Sequence, residues 1–220
     1  MQTNITPIFL TQADDCVVDY FEHNKKLIEI SNKYKVFITC SGELCQNQLR
    51  KTYPNAVIIN CEENNDLNKI NNFLCFMKNY NIKYDVCIRV CCDTIIVNIK
   101  QLLLKINKII NDNNYEKLAI GTVVKGSYNN IRWIRGGCVV VTKPVIDFMI
   151  DKEIDKNLCQ RIKSFDRVWI KKIKLSNATI IQESFFNIGN SINDKFPVFH
   201  IKKYKSEERI KKYIDINKQL

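Results

Sequence analysis

Glycine and proline are scarce. The chain has 220 residues and holds 6 glycines and 4 prolines. No Gly/Ser/Pro linker divides it, and no internal repeat is visible. Two nucleotide fingerprints are also missing. No G-x-G-x-x-G follows the first apolar run, and no G-x-x-x-x-G-K-[ST] occurs anywhere. That argues against a dinucleotide oxidoreductase and against a P-loop enzyme. Histidine is limited to His23 and His200, and no Cys-x-x-Cys accompanies the ten cysteines, so zinc-finger spacing is absent. No stretch approaches the length of a membrane span. The opening MQTNITPIFLTQADDC has no basic region and an apolar run too short for a secretory signal. The expected location is the cytoplasm, a host cytoplasm if the AT-rich coding suggested by abundant Asn, Ile and Lys is viral. In that reducing compartment Cys75 and Cys138, inside apolar runs, read as small buried hydrophobes.

Charge, by contrast, is plentiful. The formal net charge is +11, with 45% hydrophobic and 26% charged residues. Such a chain can bury a sizeable core without staples. The basic excess suits polyanionic partners, phosphate-bearing ligands among them. Most lysines are spread along the chain. Only IKKYKSEERIKKYI, residues 201–214, is dense, and it includes Glu207 and Glu208. With no RNA-binding aromatic signature and no long basic run, specific nucleic-acid binding is not expected. The stretch from about Ser206 to Asn217 reads as a surface helix, too short and mixed in charge for a membrane anchor.

The first half alternates short apolar runs with longer amphipathic ones. Strands are expected at Pro7–Thr11, Tyr34–Thr39, Ala56–Asn60 and in YDVCIRV, residues 84–90. Between them the spacing predicts a helix capped by Asp14 or Asp15 and running to about Asn32, a short helix Glu43–Lys51, and one capped by Asn64 or Asn65. Strands apolar on both faces and separated by helices indicate a mostly parallel sheet flanked by helices on both faces, Rossmann-like in its right-handed crossovers. A helix from Asn98 to about Asn111 follows, then strands over Lys117–Val124 and within NIRWIRGGCVVVT. Pro144 opens a helix, Asp166 stands at another helix start, and His200 follows an apolar pair. We expect one domain, 1–220. Residues 1–98 form its nucleotide-binding half, 99–204 its acceptor half, and 205–220 a basic C-terminal helix.

In such sheets ligands sit beyond the carboxyl ends of the strands. That places Thr11, Gln12 and Ser41 near a base or ribose, and Asp93 in the crevice unless it only ends a strand or caps a helix. The pair Gly136-Gly137 marks a close backbone approach, by a turn or by a ligand such as an acceptor. Arg89 either faces phosphate or forms a structural ion pair.

The segment Arg89-Val90-Cys91-Cys92-Asp93-Thr94 resembles the metal-binding strand end of GT-A glycosyltransferases. That end reads roughly K-T-D-D-D-V-F-V-N in the β-1,3-galactosyltransferase and Fringe group and R-T-R-T-D in WavE-type polysaccharide-synthesis transferases. Downstream, RGGCVVVTKPVIDFM is similar to a glycine-rich GGGYVLS segment, FDRVWIKKI to EDVWVG, and VFHIKK to the segment carrying a late histidine. The resemblance spans about Val36 to Lys203. It implies a GT-A-like fold and transfer of a sugar from a nucleotide sugar, UDP-linked, to a glycan or other hydroxyl acceptor. It also implies Mn²⁺ or Mg²⁺ held by Asp93 and His200, with Asp166 as base. Two departures stand out. Cys91, a soft ligand, replaces the first carboxylate, and Arg167 stands at the second acidic position of the later segment. A catalytically inactive sugar-nucleotide or glycan-binding module therefore remains open, as does a basic nucleic-acid-binding protein.

Overall fold

Two apolar layers sandwich a central sheet, and the alternation along each strand explains how. The structure is a computed structural model that describes residues 5–14, 18–61, 66–114, 116–125, 132–152, 165–189, 192, 195–201 and 206–220. The chain runs β1 (Pro7–Ala13), α1 (Val18–Glu22), α2 (Lys25–Ser31), β2 (Lys35–Cys40), α3 (Glu43–Thr52), β3 (Val57–Asn60), α4 (Asp66–Asn79), β4 (Val86–Val90). It continues β5 (Thr94–Ile96), α5 (Ile99–Asp112), β6 (Leu118–Lys125), β7 (Arg132–Thr142), α6 (Lys143–Asp151), α7 (Phe165–Leu175), β8 (Thr179–Gln182), β9 (Phe186–Gly189), β10 (Val198–Ile201) and α8 (Ser206–Gln219).

Seven strands form the main sheet in the order β3-β2-β1-β4-β7-β6-β8, and β5-β10-β9 form a second, smaller one. Only β7 runs antiparallel to its neighbours in the main sheet. Phe9, Val36, Ile38, Val86, Ile88 and Val90 face one side, packed on α1, α2, α3 and α5. Ile8, Leu10, Phe37, Cys87, Val139 and Val141 face the other, against α4, α6 and α7. Burial of both faces is why β4 reads VCIRV with every residue buried. The fold class expected from the sequence, an α/β mostly parallel sheet with helices on both faces, is the one found.

The strand order places the site. From β1 the chain steps outward through β2 and β3, then returns to pair β4 on the opposite edge of β1. The direction of winding therefore reverses between β1 and β4. At such a switch point the two carboxyl ends open a crevice.

Several local expectations change. Cys75, expected to be buried, is exposed on α4, while Cys138 is buried. The helix expected to run to about Asn32 is broken at His23-Asn24. Asn24 starts a new helix, and its side chain accepts from the Leu27 amide at 2.9 Å. Asparagine is worth more as a cap than inside a helix. Asp14 is not a cap but pairs with Lys69, while Asp15, Asn64 and Asn65 lie outside the described residues. The C-terminal helix is no detached surface element. Tyr213 and Ile216 of α8 are buried with Tyr20, Ile95 and Phe199 in a third apolar cluster. The rings of Tyr20 and Tyr213 meet edge-on at 4.9 Å. Among the described residues no helix is long and apolar enough to cross a membrane.

Candidate functional site

The tip of β4 is a tight turn. The Thr94 amide donates to the Cys91 carbonyl at 3.1 Å, and the Cys91 amide donates to the Gly137 carbonyl at 3.2 Å. Gly137 therefore marks a close backbone approach, but inside β7 and toward this turn. Gly136 is in the same strand, so the alternative of a plain turn at the glycine pair does not hold.

The turn leaves Asp93 buried, with its carboxylate engaged on both sides. One oxygen lies 3.4 Å from His200 Nδ1, and the other forms an ion pair with Arg209 of α8. His200 arrives because β10 runs antiparallel to β5, which sets His200 opposite Thr94. Its Nδ1 is also 3.0 Å from the Thr94 hydroxyl. The two residues expected to act together, Asp93 and His200, are thus neighbours. The cap of the following helix is Asn98, whose side chain accepts from the Gln101 amide at 3.0 Å, so Asp93 is not spent on capping.

Behind the turn sits Arg89, 2% exposed on β4. Its charge is felt along the strand and by its neighbours. Burial pushes the Cys92 and Cys138 thiols up to about 12, while Arg89 pulls both back, joined at Cys92 by Arg209. These thiols stay protonated near neutrality, the wrong state for a metal ligand or a nucleophile. A further pair lines the β1 end: Lys69, 1% exposed, meets Asp14 at 3.3 Å. Among the described residues, the cations Arg89, Lys69 and Arg209 and the carboxylates Asp14 and Asp93 lie at this end of the sheet.

Among the described residues, Thr11 Oγ1, Gln12 Oε1 and Ser41 Oγ are buried without a hydrogen-bond partner, as are Gln101 Oε1, Asn107 Oδ1 and Asn217 Oδ1 in helices away from these strand ends. Gln12 pairs in register with Thr39, and Ser41 follows Cys40, which pairs with Ala13, so Thr11, Gln12 and Ser41 lie at the joined ends of β1 and β2. Buried polar atoms without partners are costly and rare, and they ask for a water or a ligand. Thr11 lines a cavity of about 10 Å³ with Asn24, Cys91, Cys92 and Thr94, room for about one water. A wider groove of about 190 Å³ lies on the far side of Ile30 and Ile96, with Lys26, Lys33 and Lys100 at its rim.

Asp166 falls in the first turn of α7, but its side chain and that of Arg167 lie outside what is described. Trp169, farther along that helix, is fully buried core.

The sequence resemblance implies a divalent cation, and the donor set can be tested against it. A hard ion needs oxygen ligands, and Cys91 supplies sulfur. Asp93 already has one oxygen on a guanidinium and the other near an imidazole. Among the described residues no three His, Cys, Asp or Glu side chains group to share an ion. As they stand, these residues do not fit Mn²⁺ or Mg²⁺.

Sequence reasoning missed Arg209. Its segment shows only a mixed-charge amphipathic pattern, and nothing local ties it to Asp93.

No protein-family model matches the chain, and no curated protein matches it. Solved structures do. The chain is similar to the galactosyltransferase LgtC, solved with donor and acceptor sugar analogs, at a TM-score of 0.53 and 9% identity, over 95% of this chain and 96% of that one. It is also similar to a cytidylyltransferase from Leptospira borgpetersenii serovar Hardjo-bovis, at a TM-score of 0.52 and 14% identity, over 82% of this chain and 76% of that one. At these identities the likeness establishes a GT-A-like fold.

Proposed function

We propose that the chain is a glycosyltransferase that takes a sugar from a nucleotide sugar, UDP-linked, and passes it to a hydroxyl of a glycan or small acceptor. One observation carries the reading. The unmet buried oxygens of Gln12 and Ser41 stand at the strand ends beside the switch point, where a nucleoside would supply their missing partners, while Thr11 lines the one-water cavity on the other face of β1. Support also comes from the two solved neighbours, which by name handle donor and acceptor sugars or transfer a cytidylyl group.

In this reading residues 1–98 hold the nucleotide. Arg89 adds positive charge beneath the diphosphate. The acceptor half, 99–204, supplies the backbone around Gly136 and Gly137 and the Asp166 carboxylate that receives the acceptor's proton. Asp93 and His200 as paired here do not fit a divalent metal, so the charge on the leaving diphosphate falls to the chain's own cations.

A thermal-shift panel of UDP-, GDP- and dTDP-sugars, followed by assay of nucleotide release, tests the proposal. Stabilisation by one nucleotide sugar together with release of its nucleotide is the expected result. Stabilisation without turnover would instead favour an inactive binding module, the outcome to which Cys91 at a lost carboxylate position points. No shift with any of them would sink both.

A further inference from the structure

We propose that the guanidinium of Arg209 is the fixed cation of this site, and that it meets the departing diphosphate in place of a divalent metal. The inference rests on the transferase reading above and names the group that makes it work. Asp93 is then a positioning residue rather than a metal ligand.

Geometry carries the argument. The Asp93 side chain is 10% exposed and that of Arg209 is 23% exposed. Of the pair, the Arg209 side chain is the more exposed, and its Nε is a buried donor without a hydrogen-bond partner among the described residues, so the guanidinium keeps a donor to offer an anion. A guanidinium has five N–H donors in a planar fork, so an ion pair to one carboxylate oxygen leaves capacity for phosphate oxygens. A metal on Asp93, by contrast, would have to displace Arg209 from the oxygen it holds.

The position of Arg209 is also fixed before any ligand arrives. Four residues along α8, Tyr213 is fully buried against Tyr20, and Ile216 is buried with it. These contacts anchor the helix, while Asp93, itself beside His200, orients the side chain. Cations held in place in advance stabilise developing charge without reorganisation. Burial raises the Cys92 thiol and the Tyr20 phenol, and the Arg209 charge pulls each partly back, so that charge reaches the turn between β4 and β5.

The step balances without an oxidant or a metal. The bond between the anomeric carbon and the β-phosphate oxygen breaks, and its electron pair stays on the diphosphate. A lone pair of the acceptor hydroxyl forms the new bond, and the hydroxyl proton passes to the Asp166 carboxylate. The negative charge that grows on the leaving oxygen faces Arg209.

Calorimetric titration of UDP, GDP and uridine into the wild type, in chelator and in Mn²⁺, tests the proposal. The wild type should bind a nucleoside diphosphate equally in both buffers. Arg209→Gln should weaken the diphosphate roughly ten- to hundredfold, the range of a charge-assisted contact, and leave uridine unchanged. Because Arg209→Gln strands a buried carboxylate, the double variant Asp93→Asn/Arg209→Gln provides a neutral, folded comparison, and it should show the same selective loss. Binding that requires Mn²⁺, or a double variant that binds the diphosphate like the wild type, would overturn this inference alone. A wild type that binds no nucleotide in either buffer would overturn the transferase reading itself.

Discussion

Arg209 of the last helix closes an ion pair onto Asp93 at the tip of β4, joining the C-terminal helix to the middle of the sequence at the switch point of the sheet. This contact makes the C-terminal helix part of the crevice. It also gives the buried carboxylate its counter-charge from within the chain.

The pair should be measurable as a coupling. Asp93→Asn and Arg209→Gln each leave a partly buried partner unmet, so each should cost stability. In a double-mutant cycle the coupling should be roughly 1–3 kcal/mol, read from urea midpoints. A coupling of zero would mean the pair is no more than a surface contact.

Ser41→Ala separates ligand binding from folding. Ser41 is 5% exposed and its hydroxyl has no partner among the described residues, so removing it should change stability by no more than about 1 kcal/mol. Nucleotide affinity should nevertheless fall about three- to tenfold, the worth of one hydrogen bond. A destabilised variant with normal affinity would show that the hydroxyl serves the fold.

Stability should decline in alkali. An ordinary thiol titrates near 9.0, and burial raises Cys138 and Cys92 to about 12. Below about pH 9 these thiols are protonated in both states and the full stability is present. Above it the unfolded chain releases protons first, so unfolding gains with rising pH until the folded thiols titrate near 12. Each buried thiol contributes a slope approaching 1.4 kcal/mol per pH unit in that window. Tyr53, whose hydroxyl donates to the Phe21 carbonyl at 2.6 Å, is shifted upward too and adds to the loss above pH 10. Urea melts from pH 8 to 11 should show falling midpoints. A flat profile would contradict the burial of these groups.

Much of the frame was legible in the sequence. PIFLT, YKVFIT, AVIIN and VCIRV are short apolar runs between amphipathic stretches, and a strand buried on both faces can hardly read otherwise. Their carboxyl ends then follow by rule, and Thr11, Gln12, Ser41 and Asp93 lie at or just beyond them. The small sheet was harder. β5 and β9 have three and four residues, too few to show a period, and their pairing with β10 brings His200 to Thr94. The proximity of His200 to Asp93 was expected only through family resemblance. Arg209 could not be read at all. Its partner is chosen by the docking of α8 through Tyr213 and Ile216, a tertiary event that leaves no local pattern. The break at Asn24 is different: apolar spacing continues across it, but the cap preference of asparagine is a local mark of it.

The most direct test is a crystal structure grown with a nucleoside diphosphate in chelator. The account predicts the nucleoside over the ends of β1 and β2, within hydrogen-bond reach of Gln12 or Ser41, and the diphosphate between the β1 and β4 tips against Arg209. A nucleotide bound elsewhere, such as in the lysine-rimmed groove beside α2, or held at Asp93 only after a metal is added and Arg209 displaced, would contradict it.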